Sequence, residues 1–356
     1  MGSAAFGQTG GFTVIDAPGA GSMGTFARSI NQSGAVAGFY IDANQVNHAF
    51  VRSAAGDFTT FEAPAASDAK GSGTMAASMN AGGAVAGTYG AAGPEVDTRE
   101  ASFARTSSGT ITDFAAPPAS GRYPQESTQA MSINNAGAIA SFDVARDLAT
   151  HAFLRSPAGV FTNFDAPGAA GGPNGGTWAV AINNAGDIAG YYMDASLVFH
   201  GFVRTPAGVY TTFEDPNAGM NHSSGYPGTV AYGINDAGAV VGMYTDANGV
   251  SHGFVRTPAG VFITIDAQGA GTALYLGTTA FSINDAGAIA GYYLDANKLY
   301  HGFFRTPAGA ITTFDGPDAS TTTWGTQALS IGNTGEIAGT YVGTDLSNHG
   351  FILAPK

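Results

Sequence analysis

The sequence predicts an all-β fold: a seven-bladed β-propeller of four-stranded antiparallel blades, with an N-terminal strand completing the last blade. Three observations predict it. A unit of about 50 residues occurs in seven copies, led by Ile30, Met79, Ile133, Ile182, Ile234, Ile283 and Ile331. Each of the first six copies carries four short runs of strand character separated by Gly, Pro, Asn and Asp, and none has a helical period. The last copy stops after its third run, and a match to the missing fourth stands at the other end of the chain.

The four runs read, in order, T-x-A-x-S-I-N, GAVAGxY, HGFVR and VxTTFD. Four strands per repeat of this length is the pattern of a propeller blade, and seven such blades would surround a central channel. Phe12 to Pro18, FTVIDAP, matches the fourth run. It should pair onto the C-terminal blade and leave no open sheet edge between first and last blades. No linker divides the chain, so a single propeller domain is expected over residues 12–356. Residues 1–11 read as a tag or disordered lead-in, since MGSAAFG lacks the features of a secretory leader and resembles an expression scar.

Composition excludes several classes of function. A chain of 356 residues, 44% hydrophobic, can bury a substantial core. Its apolar runs are broken every few residues, well short of the roughly 18 to 20 that a membrane helix requires, so no membrane span is expected. With 26 acidic against 13 basic side chains, a net charge of -13 and no basic stripe, nucleic acid is excluded as a partner. The absence of Cys removes disulfides, thiolate zinc sites and thiol catalysis.

Hairpin arithmetic places the recurring polar residues. A turn centred near Ala55 sets Arg52 against Phe58, Phe50 against Thr60 and His48 against Glu62, and a turn near Gln45 sets Asp42 against the same histidine. A row of carboxylate, imidazole and carboxylate should therefore cross three strands. The same count gives Asp194, His200 and Glu214; Asp246, His252 and Asp266; and Asp295, His301 and Asp315. His151 keeps Asp165, and His349 should meet Asp16 through the N-terminal strand. In the second copy the histidine position is Ala101 and the opposing one Ala115, so both partners are lost together. These are suitable metal ligands, but six near-identical sites fit a structural tie better, and no metal or cofactor is expected. Raised histidine pKa values are expected from the neighbouring carboxylates. The Arg at the end of the third run (Arg52, Arg105, Arg155, Arg204, Arg256, Arg305) recurs in the same way and reads as structural. Gly19, Gly21 and Gly24 spell GxGxxG without a following helix, and Gly249, Ser251 and Gly253 spell GxSxG within a hairpin. Neither has the context its chemistry needs.

Function should show where the copies differ. The loops between the fourth run of one copy and the first of the next vary most, and in a propeller they rim one mouth of the channel. Arg122, Tyr123 and Glu126 lie in one such loop, His222 and Tyr226 in another, and Trp178, Tyr275 and Trp324 at or near the ends of three more. Arg28 stands where the other copies have Ala77, Met131, Val180, Tyr232, Phe281 and Leu329, and a charge at an apolar position needs a partner or a ligand. Aromatic faces with scattered polar groups suit sugars. If the site is catalytic, His222 or Tyr226 as base and acid, with Arg122 or Arg28 neutralising a uronate carboxylate, would suit β-elimination.

His48-Ala49-Phe50 and His151-Ala152-Phe153, each following an INxxGxVAG-like run, with HGF at His200, His252, His301 and His349, resemble the bacterial HAF-type extracellular repeats. The resemblance implies a secreted bacterial protein, extracellular or periplasmic, and no particular activity. The function expected is that of a glycan-binding protein, a monomer with a polysaccharide or oligosaccharide ligand bound at the loop rim through Arg28, Tyr123, Glu126, Trp178, Tyr275 and Trp324. The alternatives are a lyase acting on uronate-containing polysaccharide and a structural or assembly scaffold.

Overall fold

The four runs of each repeat pair in chain order. In the first, β2 (Thr25–Ile30), β3 (Val36–Ile41), β4 (Asn47–Arg52) and β5 (Phe58–Phe61) form successive antiparallel ladders. The computed structural model describes residues 11–91, 100–115, 127–145, 148–173, 175–220 and 227–354, and among these are 28 strands and no helix. The N-terminal β1 (Phe12–Ile15) pairs with the last strand, β28 (Asn348–Leu353), beside β27 (Ile337–Val342) and β26 (Thr326–Ile331).

Each unit is built around the phenylalanine of its third strand. Phe50, Phe103, Phe153, Phe202, Phe254, Phe303 and Phe351 are all fully buried. Glycine in the second strand makes room for this ring: a Cβ on Gly38 would lie 2.9 Å from the Phe50 ring and 2.0 Å from the Phe26 carbonyl oxygen. The third-strand arginines join neighbouring units. The guanidinium groups of Arg105, Arg155, Arg204 and Arg256 lie over Phe61, Phe114, Phe164 and Phe213 of the preceding unit, at 4.5 to 4.9 Å. Such cation–π contacts account for the arginine in four of the six units that carry it.

The inner strands are linked by their side chains. The hydroxyl of Ser29 accepts the Met79 amide of the next unit, and Ser78, Ser132, Ser282 and Ser330 do the same for Ile133, Ile182, Ile331 and Ile30. One residue beyond the strand, Asn31 donates its amide to the Asn80 carbonyl, and the relay continues through Asn80, Asn134, Asn183 and Asn235 to Asn284, which donates to Gly332. There it stops, because Gly332 has no side chain to pass it on to the first unit.

The expected fold, a closed seven-bladed propeller of separate four-stranded blades completed by the N-terminal strand, needs correction. The strands form two hydrogen-bonded sheets, one of 24 strands (β2 to β25) and one of four (β1, β28, β27 and β26), and the strand pairing is not closed. Successive units within the larger sheet are joined by single parallel pairings, such as Asn47 with Gly73 at the start of β6 (Gly73–Met79). Gly73 permits this with a φ of 100° and a position where any Cβ would meet the Asn47 carbonyl oxygen at 2.1 Å. The four-stranded sheet lies outside that ladder. It meets its neighbours through an isolated bridge between Tyr300 and Gly325, and through Asn348, whose side-chain amide donates to the Met23 carbonyl. All seven innermost strands nevertheless surround one central cavity, which is a propeller layout with an open ladder. No helix among the described residues is long and apolar enough to cross a membrane.

Candidate functional site

The innermost strands do not run straight. Each has a β-bulge at one position, between Ala27 and Ser29 in β2 and at the matching place in the others. A bulge leaves one residue unpaired and re-aims its side chain. The bulged residues are Arg28, Ala77, Met131, Val180, Tyr232, Phe281 and Leu329, and all of them line the central cavity, whose volume is about 500 Å³. The one copy with a charge at this position therefore presents it to the channel.

Arg28 makes no ion pair or hydrogen bond recorded among the described residues. Its guanidinium lies 5.7 Å from the centre of the Phe39 ring. It is exposed along the cavity yet surrounded by protein. Desolvation weakens its hold on its proton, opposed in part by Tyr292. Further round the wall, Tyr232 and Phe281 stack with ring centres 5.3 Å apart. Burial holds the Tyr232 and Tyr292 hydroxyls well above the ordinary tyrosine range, so both stay neutral. Glu100, at the start of β8 (Glu100–Arg105), also lines the cavity and accepts bonds from Gln129 Nε2 at 2.7 Å and Ser127 Oγ at 3.1 Å. Sequence reasoning missed Glu100 because its partners lie on the next unit.

The other expected site residues are dispersed. Trp178, on β14 (Gly176–Ile182), stacks on Tyr191 at 5.0 Å and packs edge-on to Phe199, so its ring belongs to a cluster between units. Tyr275 is 56% exposed with a φ of 66°, its amide donating to the Gly249 carbonyl. Trp324 is 61% exposed with a φ of 58°, its ring lying parallel to Tyr300 at 5.8 Å. Arg122, Tyr123, Glu126, His222 and Tyr226 lie outside the described residues.

The outer hairpins have the expected register, but the inner hairpin is centred at Asn44 and not near Gln45: Tyr40, not Asp42, stands opposite His48, and Asp42 reaches the imidazole from the turn beyond. His48 Nδ1 is 2.6 Å from Glu62 and its Nε2 3.6 Å from Asp42; His252 has Asp266 at 2.8 Å and Asp246 at 3.8 Å; His301 has Asp315 at 2.8 Å and Asp295 at 3.7 Å. His200 bonds Glu214 and has Asp194 at 3.2 Å, and His151 bonds Asp165 at 3.0 Å. His349 meets Asp16 at 2.8 Å and also Asp345 at 3.2 Å, a partner not expected from the sequence. The two carboxylates flank opposite edges of each ring and so bridge strands instead of converging on one point. No group of three or more His and carboxylate residues placed to hold a metal ion occurs among the described residues.

A tyrosine covers the histidine in five units. Tyr40, Tyr192, Tyr244, Tyr293 and Tyr341 stack on His48, His200, His252, His301 and His349 at 4.8 to 5.1 Å. Meanwhile Asp42 serves its own turn, accepting the amides of Asn44 and Val46. These features assign the rows to the scaffold.

Hydrogen bonds to Glu214, Asp266 and Asp315 raise the pKa of His200, His252 and His301, against the opposing effect of burial. For His349 burial is the largest influence and lowers it, but Asp16 and Asp345 together outweigh burial. The folded pKa exceeds the unfolded one, so this stabilisation is complete below about 6.5 and is lost as pH rises through the folded values. Proton NMR titration should show these four imidazoles losing their protons above the ordinary histidine value. Four unshifted titrations would remove the account.

The fold and cavity define a β-propeller with an open strand ladder and a single charged side chain at the bulge positions of its channel. Among solved structures, the chain is similar to one of two prolyl endopeptidases (TM-score 0.52, 10% identity), over 92% of this chain and 46% of that one, so it spans under half the endopeptidase. At that identity the likeness concerns the fold alone. Looser likenesses are to a fucose-recognising lectin of Aleuria aurantia described as a six-bladed β-propeller (TM-score 0.43, 11% identity, 98% of this chain and 96% of that) and to a lectin of Burkholderia pseudomallei (TM-score 0.46, 12% identity, 80% and 82%). The 28 strands here would fill seven four-stranded units, not six. No protein-family model and no curated protein matches the chain.

Proposed function

We propose that this protein binds glycans through the loops at one mouth of the channel. The observation that carries the reading is Trp324: a large aromatic face, 61% exposed, held against Tyr300 by a backbone in the left-handed region. Non-glycine residues held there at a cost are concentrated at functional sites. Tyr275, in the preceding joining loop, has the same two properties. A flat, pre-positioned ring offers a sugar's C–H face a surface with little entropy left to lose on binding. The proposal includes action outside a bacterial cell, which rests on the repeat resemblance.

Affinity gels containing neutral or uronate polysaccharides test this directly, with ultraviolet absorbance followed for unsaturated products. Retardation without product is expected, weakened about tenfold in Trp324→Ala. Retardation unchanged in both Trp324→Ala and Tyr275→Ala would overturn the rim as the binding surface. New absorbance would make the protein a lyase.

A further inference from the structure

We infer that the central cavity is a binding site for the carboxylate of an acidic sugar, with Arg28 as the anion contact. The inference extends the glycan reading to the ligand's charge and to a second place, inside the channel.

The cavity holds a cation without an ionic partner among the described residues. Six equivalent bulge positions around the channel are uncharged, so the fold itself has no need of a charge there. A guanidinium among protein groups, recorded only against the Phe39 ring, has lost part of its hydration without a carboxylate in exchange. An incoming anion repairs that loss, and a planar carboxylate matches the guanidinium fork with two parallel hydrogen bonds.

The surroundings select the class of anion. One Arg in a cavity lined also by Phe39, Tyr232 and Phe281 can neutralise a single charge, whereas a phosphate dianion would remain half-compensated in a protein of net charge -13. The cavity lining also includes other polar groups. Glu100 and Gln129, bonded to each other on its wall, can exchange hydrogen bonds with hydroxyl groups, and Glu100 repels a carboxylate toward Arg28. A body with one carboxylate, several hydroxyls and apolar ring faces is a uronic acid or a related acidic monosaccharide. The volume of about 500 Å³ admits a ligand of that size.

The test uses the full chain with free glucuronate and glucose as probes, then uronate and neutral oligosaccharides of matched linkage. Glucuronate should shift the Arg28 Nε–H resonance in NMR, and glucose should not. Arg28→Leu, which copies Leu329 of the seventh unit, should weaken uronate binding roughly ten- to a hundredfold and leave neutral oligosaccharides unaffected. Its melting temperature should equal or exceed that of the parent, since a functional charge is being exchanged for a packing residue. Arg28→Lys, keeping the charge without the fork, should fall between the two and guards against a folding defect in the leucine variant. Equal binding of glucuronate and glucose, or uronate binding unchanged in Arg28→Leu, overturns the inference while leaving rim binding intact. An Arg28-dependent response to glucuronate, with no oligosaccharide of either kind retained at the rim, overturns the rim reading and upholds the channel site.

Discussion

Asp143→Asn should make the protein more stable by up to roughly 4 kcal/mol above pH 7, with the gain vanishing toward pH 4. Asp143 lies on β11 (Ile139–Val144) directly opposite His151, at the register position where five other units carry the tyrosine that stacks on their histidine. It is 1% exposed, and neither of its carboxyl oxygens has a hydrogen-bond partner among the described residues. Two residues earlier on the same strand, the buried hydroxyl of Ser141 is also without a partner among the described residues. Burial is the main force on the carboxyl; His151 favours its ionised form and Asp165 opposes it, and the result is a pKa pushed from 3.8 up to about 7.

The direction of the effect follows from which state holds the proton. In the unfolded chain the group ionises near 3.8, whereas in the fold it keeps its proton to about 7. Folding is therefore penalised progressively across that interval and by a constant amount above it. At about 1.4 kcal/mol for each tenfold change in proton affinity, the penalty reaches roughly 4 kcal/mol. Asparagine has the shape and polarity of the protonated acid but no proton to lose. Urea unfolding of parent and variant between pH 4 and 8 reads the difference, and a gap that does not change with pH would refute the assignment. The histidine rows also favour lower pH, so the slope remaining in Asp143→Asn belongs to them. Bonds from the Val46 and Ser347 amides, first among other influences, hold Asp42 and Asp345 below the ordinary carboxylate range, which sets the opposite trend at lower pH.

Gly332→Asn should stabilise the protein by about 1 to 2 kcal/mol by completing the amide relay around the channel. In six units the asparagine at this position donates to the neighbouring unit, and its Oδ1 accepts the amide four residues on, from Ala35, Ala84, Ala138, Asp187, Ala239 and Ala288. Gly332 can do neither. A Cβ at this position would lie 3.4 Å from the Asn31 carbonyl oxygen, close enough to place an amide within reach and without a backbone clash. Replacing glycine also reduces the freedom of the unfolded chain. A higher urea midpoint with an unchanged slope is the expected result. A midpoint equal to or below that of the parent would mean that the seventh unit meets the first too loosely for the bond to form.

Much of the architecture was legible in the sequence, for a local reason. Strand pairing within a hairpin depends on where the turn is centred, and the turn residues are present in every repeat. A count from Gln45 misses the inner register by two residues and passes over Tyr40, which faces His48. Counting from Ala55, however, was enough to set His48 against Glu62, and the same counting reached His349 and Asp16 at opposite ends of the chain. It also marked Arg28 as the anomalous member of its set. Asp143 is legible in the same way, as the carboxylate in a column of tyrosines. Arg122, Tyr123, Glu126, His222 and Tyr226 fall outside the described residues.

The sequence alone determined the repeat, the four strands of each copy, their order and the polar rows that tie them, because these depend on contacts between residues in one hairpin or two adjacent ones. Only the tertiary structure decided three further matters. It turned Arg28 into the channel through a bulge, drew Glu100 and Gln129 of adjoining strands onto the same wall, and left the backbone ladder open around the unit that unites the two ends of the chain. Each depends on how strands from separate units meet, and no local pattern of turns or alternation encodes the fit between them.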